Sequence, residues 1–207
     1  DPTVRATSLV TTLLDRHGVL TRSAMGVERM AGGFAAAYRV LTAMEETGSC
    51  IRTYAIEGLG AAQFTRSSTV DRLRASADRV NDHDEDPIVL AATDPAQPYG
   101  AALPWPQRVG QDISHRPGRK SGAVVVLRGG DLVAYLERGG RSLLTWGSPD
   151  PEVLSALADQ VRRGRIPSLN LQRVNGEEAQ CSSLAAAVVE AGFRLTPRGL
   201  RLRSGTA

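Results

Sequence analysis

Lysine is all but missing from this chain: Lys120 stands alone among 25 basic residues, and every other one is an arginine. Arginine enrichment is therefore a habit of the whole sequence, and no single arginine marks a site. Aromatic residues are scarce at 4%. Cysteine is scarcer still, because Cys50 and Cys181 are too few for a disulfide scaffold or a four-ligand zinc site, and they fit a reducing, cytoplasmic setting. No apolar run approaches the ~20 residues that span a bilayer, and Asp1-Pro2-Thr3 does not begin a signal peptide, so no membrane partner is expected. The sequence also lacks an initiator methionine and enters a helical pattern abruptly, which suggests a piece of a longer chain.

What is present is an ordinary globular composition, 42% hydrophobic and 23% charged over 207 residues, enough for two small domains. The net charge of +3 is local. Residues 1–65 are balanced and 66–100 are acidic, whereas 101–149 hold seven basic against three acidic residues. A local surplus points to an anionic partner better than an overall basic pI does, with a solvated arginine-rich surface as the plain alternative.

Apolar residues Leu9, Val10, Leu13 and Leu14 predict a helix over 4–17, stopped by Gly18. Ser23 can cap a second helix through residue 30, and Phe34, Tyr38, Leu41 and Met44 stripe a third over 34–47. Two short strands, 51–56 and 61–65, complete the pattern of a winged helix. A linking helix over 66–79, with Val70 and Leu73 inward, leads into the acidic run 82–86. Beyond it, prolines between residues 95 and 106 exclude helix and central strand. A meander then follows over 123–127, 132–136 and 142–146, turned at Gly129-Gly130 and Gly139-Gly140. A helix over 148–163, a strand over 168–174, a helix over 182–191 and a last strand near 194–202 finish the chain. The expected fold class is α+β: a winged helix at 1–65, a linker helix and acidic loop at 66–86, and a mainly antiparallel β-barrel-like domain with flanking helices at 87–207.

Three stretches are distinctive: Tyr54-Ala55-Ile56-Glu57-Gly58-Leu59-Gly60-Ala61-Ala62-Gln63-Phe64, the Pro- and Trp-rich residues 92–106, and Arg119-Lys120-Ser121-Gly122-Ala123 together with Tyr135-Leu136-Glu137-Arg138-Gly139-Gly140. In this order they resemble the carboxy-terminal region of large helicase-related (Lhr) helicases, along essentially the whole chain. The resemblance implies a parent protein whose ATP-driven motor translocates 3'-5' on single-stranded DNA and unwinds duplexes, RNA:DNA hybrids included, in DNA repair. It also implies a final winged helix and a β-barrel module, an arrangement similar to a bacterial family of winged-helix DNA glycosylases. The expected partners are single-stranded or duplex DNA, the remainder of the helicase chain and a second copy through self-association.

The residues themselves hold no motor. Gly118-Arg119-Lys120-Ser121 lacks the glycine spacing of a phosphate loop and precedes a strand, and Gly58-Leu59-Gly60 sits in a hairpin, so no cofactor is expected here; ATP and Mg would belong to the motor. His17, His83 and His115 lie far apart in sequence, and the acidic run lacks a calcium-loop pattern, so no metal is expected. Base excision needs a carboxylate or amide to position water and support charge at the sugar, for which Asp94, Glu137 and Gln63 are the candidates. Each has a plain reading as well: a Pro-turn start, an ion pair with Arg138 or Arg141, and a satisfied wing amide. Nothing acidic follows Glu190, which excludes a carboxylate in the extreme tail.

For nucleic-acid binding the candidates are Arg116, Arg119 and Lys120 on a Gly/Pro loop, Arg138 and Arg141 at the next turn, Tyr38 and Arg39 on the third helix, and Trp105 for stacking. Because that winged helix is charge-neutral, packing is as good a reading of it as DNA contact, and the basic loop is the stronger candidate. The rival readings are a glycosylase-like enzyme and a purely structural or oligomerising module.

Overall fold

The computed structural model describes residues 1–28, 30–80, 85–107, 115–148 and 150–204. Two compact units result, Asp1–His83 with Ala101–Pro104, and Asp84–Gly100 with Trp105–Ala207. His83 and most of the acidic run, residues 81–84, lie outside the described residues.

The first unit opens with α1 (Pro2–His17), where Asp1 accepts from the Thr3 N–H and Pro2 occupies the first turn, in which a missing N–H costs nothing. Val10, Leu13 and Leu14 are buried, but Leu9 is 42% exposed, because three positions at i, i+3 and i+4 suffice to face the core. β1 (Val19–Leu20) and α2 (Arg22–Val27) follow. Thr21 caps α2, leaving Ser23 inside the helix, where its hydroxyl donates to the Ala102 carbonyl. Next come α3 (Gly33–Glu46), β2 (Ile51–Thr53), β3 (Gln63–Thr65) and α4 (Ser67–Val80). The two-residue β1 carries no sequence signal, yet it pairs antiparallel with β3, whose other edge takes β2. Three helices thus pack on a three-stranded sheet around Leu13, Leu14, Leu20, Met25, Leu41 and Phe64, which is a winged helix. Leu73 on α4, expected inward, is 39% exposed.

An ion-paired carboxylate ties α2 to α1. Arg16 and His17 reach the Glu28 oxygens at 2.9 and 2.7 Å. Burial works to raise the Glu28 pKa, but the hydrogen bonds from His17 and Arg16 and their charge outweigh it and hold the carboxyl below its ordinary 4.5. A depressed carboxyl contributes stability above its unfolded pKa and loses it as pH falls through the folded one. The stability of wild type over Glu28→Gln, read from urea midpoints, should therefore hold above the ordinary 4.5 and shrink as the pH falls below it. A constant gap would contradict the pairing.

The second unit is an open six-stranded sheet, ordered β10-β9-β7-β6-β5-β4, with a separate three-stranded sheet, β11-β12-β8. Its strands are β4 (Ile88–Ala91), β5 (Val124–Arg128), β6 (Asp131–Leu136), β7 (Ser142–Thr145), β8 (Leu169–Leu171), β9 (Arg173–Val174), β10 (Glu177–Glu178), β11 (Arg194–Thr196) and β12 (Gly199–Leu202). The Gly-Gly turns make β5, β6 and β7 antiparallel neighbours as their tightness requires. α5 (Pro151–Arg162) and α6 (Ala185–Glu190) bury Val153, Leu157, Val161 and Val188 among Leu143, Leu171, Leu200 and Leu202.

Three expectations change here. Among the described residues the sheet does not close into a barrel, since β4 and β10 are its edges and neither pairs with the other. The stretch read as one strand over 168–174 divides between the two sheets, β9 running parallel to β7. The last strand is a hairpin, turned at Pro197-Arg198. α5 starts at Pro151 behind Asp150 and is tied to β5 by Arg128, whose guanidinium meets Asp150 and Glu152, each at 2.6 Å. Pro149 lies outside the described residues.

Candidate nucleic-acid interface

In the first unit the aromatic candidate is spent on packing. Tyr38 is half-buried, with Phe34 and Phe64 at ring distances of 5.8 and 5.6 Å, and Arg52 lies over both Tyr38 and Phe64. Arg39 is exposed and borders a shallow cleft of about 530 Å³ between α1 and α3, with Thr3, Thr7 and Arg66. Of the candidates on α3, only Arg39 presents a free surface.

Gln63 is fully buried, and its amide is saturated. Its Oε1 accepts from the N–H groups of Ala55 and Ile56 at 3.1 and 2.9 Å, and its Nε2 donates to the carbonyls of Ile56 and Gly60 at 2.7 Å each. Two donors and two acceptors are the capacity of a primary amide, so Gln63 folds the wing back on itself and has nothing left for a substrate.

In the second unit Asp94 is a turn residue: its Oδ1 accepts from the Ala96 N–H at 2.8 Å. Gln97, buried, donates to the carbonyls of Ala92 and Tyr99 and accepts from the Tyr99 N–H. Arg119 then crosses the loop. Its guanidinium donates to the carbonyls of Gln97 (2.6 Å), Asp94 (3.0 Å), Thr93 (3.2 Å) and Tyr99 (3.5 Å). The arginine expected on phosphate is thus a clamp on backbone oxygens. Backbone acceptors leave no mark in a sequence, which is why the role was invisible there.

Trp105 is likewise built in. It stacks on Tyr99 at 6.5 Å and meets Tyr135 edge-on at 5.7 Å. Gly100, at φ 73°, lets this happen, because a Cβ there would fall 2.4 Å from the indole nitrogen. Burial raises the pKa of both tyrosines, and their hydroxyls donate to the carbonyls of Gly130 and Gly118.

These ties hold the loop 115–120 against the meander. Gly118 is fixed through Tyr135, Arg119 through its four carbonyls, and Lys120 and Ala123 through backbone turns. Arg116 and Lys120 remain exposed at its surface. Glu137 does not pair with Arg138 or Arg141; it lies 3.6 Å from His115 Nε2 and 4.0 Å from Lys120 Nζ. That contact sets the basic loop beside the β6–β7 turn, where Arg138 and Arg141 are exposed and make no ion pair among the described residues. Among the described residues Glu137 is thus the one carboxylate at ion-pair distance from these two loops, which expose Arg116, Lys120, Arg138 and Arg141. Such a surface suits phosphates, which are met at little cost when the cations are already positioned.

Sequence reasoning missed one further feature. A cleft of about 350 Å³ in this unit is lined by Gln172, Arg173, Glu178, Gln180, Pro197 and Arg198. Among the described residues no group of three His, Cys, Asp or Glu side chains is arranged to hold a metal ion, and no helix is long and apolar enough to cross a membrane.

Comparison with known proteins gives three matches. Residues 1–85 match the family model for the winged-helix domain of the large helicase-related protein. A Mycolicibacterium smegmatis protein named "Lhr helicase/ probable uracil glycosylase" is 50% identical over 215 residues, covering 98% of this chain and 14% of that protein. An Escherichia coli protein named "Lhr helicase/uracil glycosylase" is 36% identical over 203 residues, covering 96% of this chain and 13% of that protein. The chain spans about one seventh of the length of these curated relatives.

Proposed function

The chain belongs to the large helicase-related family, and from that premise we propose that it is a module, outside the motor, which holds the nucleic-acid strand handled by an ATP-driven helicase. The observation that carries this reading is the exposure of Arg116, Lys120, Arg138 and Arg141 on two loops of the second unit that the Lys120–Glu137 contact brings together. The winged helix, with Tyr38 packed and Gln63 saturated, serves mainly as a scaffold, and Arg39 is its one outward contribution among the residues considered. ATP and Mg act at the motor, and a role in DNA repair and self-association belongs to the parent assembly.

Fluorescence titration of the 207-residue chain with single-stranded DNA across a salt series tests the reading. Replacing all four cations by Gln should flatten the slope of log affinity against log salt by about 2.8, at ~0.7 per phosphate contact on single strands. An unchanged slope would refute this surface, and no salt-dependent binding at all would favour a purely structural module.

A second reading, base excision, is favoured by two observations: both relatives carry "uracil glycosylase" in their names, and Glu137 sits between His115 and Lys120. Of the three excision candidates Glu137 alone has its side-chain carboxylate at ion-pair distance from basic side chains, an arrangement suited to supporting charge at a sugar. This reading requires ATP-independent release of uracil from an oligonucleotide and its loss in Glu137→Gln.

A further inference from the structure

The outer face of the small sheet carries charge that makes no ion pair among the described residues. In the β11–β12 hairpin, Arg194 is the register partner of Arg201, and Arg201 is followed across the sheet by Asn170. Leu200 and Leu202 alternate inward to the core, so Arg201 and its partner point out, and both are exposed. Directly opposed residues on antiparallel strands hold their Cβ atoms about 5 Å apart, and like charges at that spacing oppose strand pairing. Arg198 at the hairpin turn and Arg203 just past β12 extend the same sign.

None of these four arginines lies within ion-pair distance of an acidic group among the described residues, and the sequence holds no acidic residue after Glu190. An arrangement that weakens the fold has its physical justification in a partner that supplies the missing anions. The chemistry on offer selects that partner. Guanidinium forks take the paired oxygens of phosphates and carboxylates alike, and the basic loops of the same unit, read above as strand-holding, favour a phosphodiester as the anion. The cleft beside the hairpin turn shares Arg198 and adds Arg173, Gln172 and Gln180 around about 350 Å³, in the size range of small-molecule sites. Glu178 is the one acidic group on its wall and is the register partner of Arg173, while Gln180 donates to the Thr196 carbonyl and fixes the wall to β11.

We propose that the Arg194–Arg201 face, with Arg198, is a second phosphodiester-binding surface, and that the adjoining cleft seats one nucleotide of the bound strand. This rests on the strand-holding reading above and adds to it residues that lie far along the sequence from the basic loop.

The test uses the whole chain, a fluorescent oligo-dT and a salt series. Arg194→Gln with Arg201→Gln should flatten the salt slope by about 1.4, while the thermal midpoint stays level or rises as the repulsion is removed. The paired Lys substitutions should keep the slope, because the charge is kept. Arg198→Gln, at an exposed turn, should by itself flatten it by about 0.7. Retention of the full slope in both Gln variants, while the variant lacking Arg116, Lys120, Arg138 and Arg141 loses its own, overturns this inference alone. Failure of the wild-type chain to bind oligo-dT overturns both readings. Displacement of the oligonucleotide by poly-glutamate at equal charge concentration marks a general polyanion surface and overturns the nucleotide assignment.

Discussion

Gln63→Glu is expected to destabilise the winged helix by about 3–5 kcal/mol, a large part of the stability of a small domain. The exchange conserves shape and inverts chemistry. The two protons that Gln63 gives to the Ile56 and Gly60 carbonyls vanish, and a carboxylate with no cationic partner takes their place at a fully buried position. An uncompensated buried charge and two orphaned carbonyls are each costly. Urea denaturation measures the loss, and a cost under about 1 kcal/mol would mean that the wing is not held by this amide. The same experiment bears on base excision, because a residue whose four hydrogen bonds are all internal has none to give a sugar.

The second large effect is expected at Arg119. Arg119→Met removes a charged donor from carbonyls of Thr93, Asp94, Gln97 and Tyr99, at an expected cost of about 2–3 kcal/mol. Arg119→Lys should recover little, since a point charge cannot span oxygens that a planar fork reaches together. Amide exchange over residues 93–106 should accelerate in both variants. Arg116→Gln and Lys120→Gln should behave in the opposite way, leaving stability within about 0.5 kcal/mol and weakening DNA binding. An Arg119→Met protein of wild-type stability with a flattened salt slope would show that Arg119 meets phosphate and not backbone.

The contrast between these neighbours shows what a sequence discloses. Periodicity and Gly-Gly turns declare the helices and the meander, because those signals are local: the 3.6-residue stripe of α1 and α3 and the tight turns at Gly129-Gly130 and Gly139-Gly140 need no knowledge of what lies across the fold. Closure of a sheet is a global property, and the strand pattern that suggests a barrel is equally satisfied by an open sheet whose next strand, β9, joins in parallel. Glu137 illustrates the same limit for a site. Sequence proximity offers it Arg138 and Arg141, but alternation along β6 and the turn beyond it carry it toward His115 and Lys120 of a different loop. Arg119 stands beside the chain's lone lysine, yet its partners are backbone oxygens 20 to 26 residues away. The Arg194–Arg201 pair becomes visible only with the hairpin register, since seven positions of separation mean nothing until Pro197 and Arg198 turn the chain.

Hydrogen exchange of the whole chain, with and without saturating single-stranded DNA, tests most directly whether the second unit grips the strand. The account predicts that DNA slows exchange in residues 115–122 and 137–142 and leaves α3 and the wing, residues 33–66, unchanged apart from the neighbourhood of Arg39. Protection confined to residues 33–66, with the two basic loops of the second unit unaffected, would contradict it.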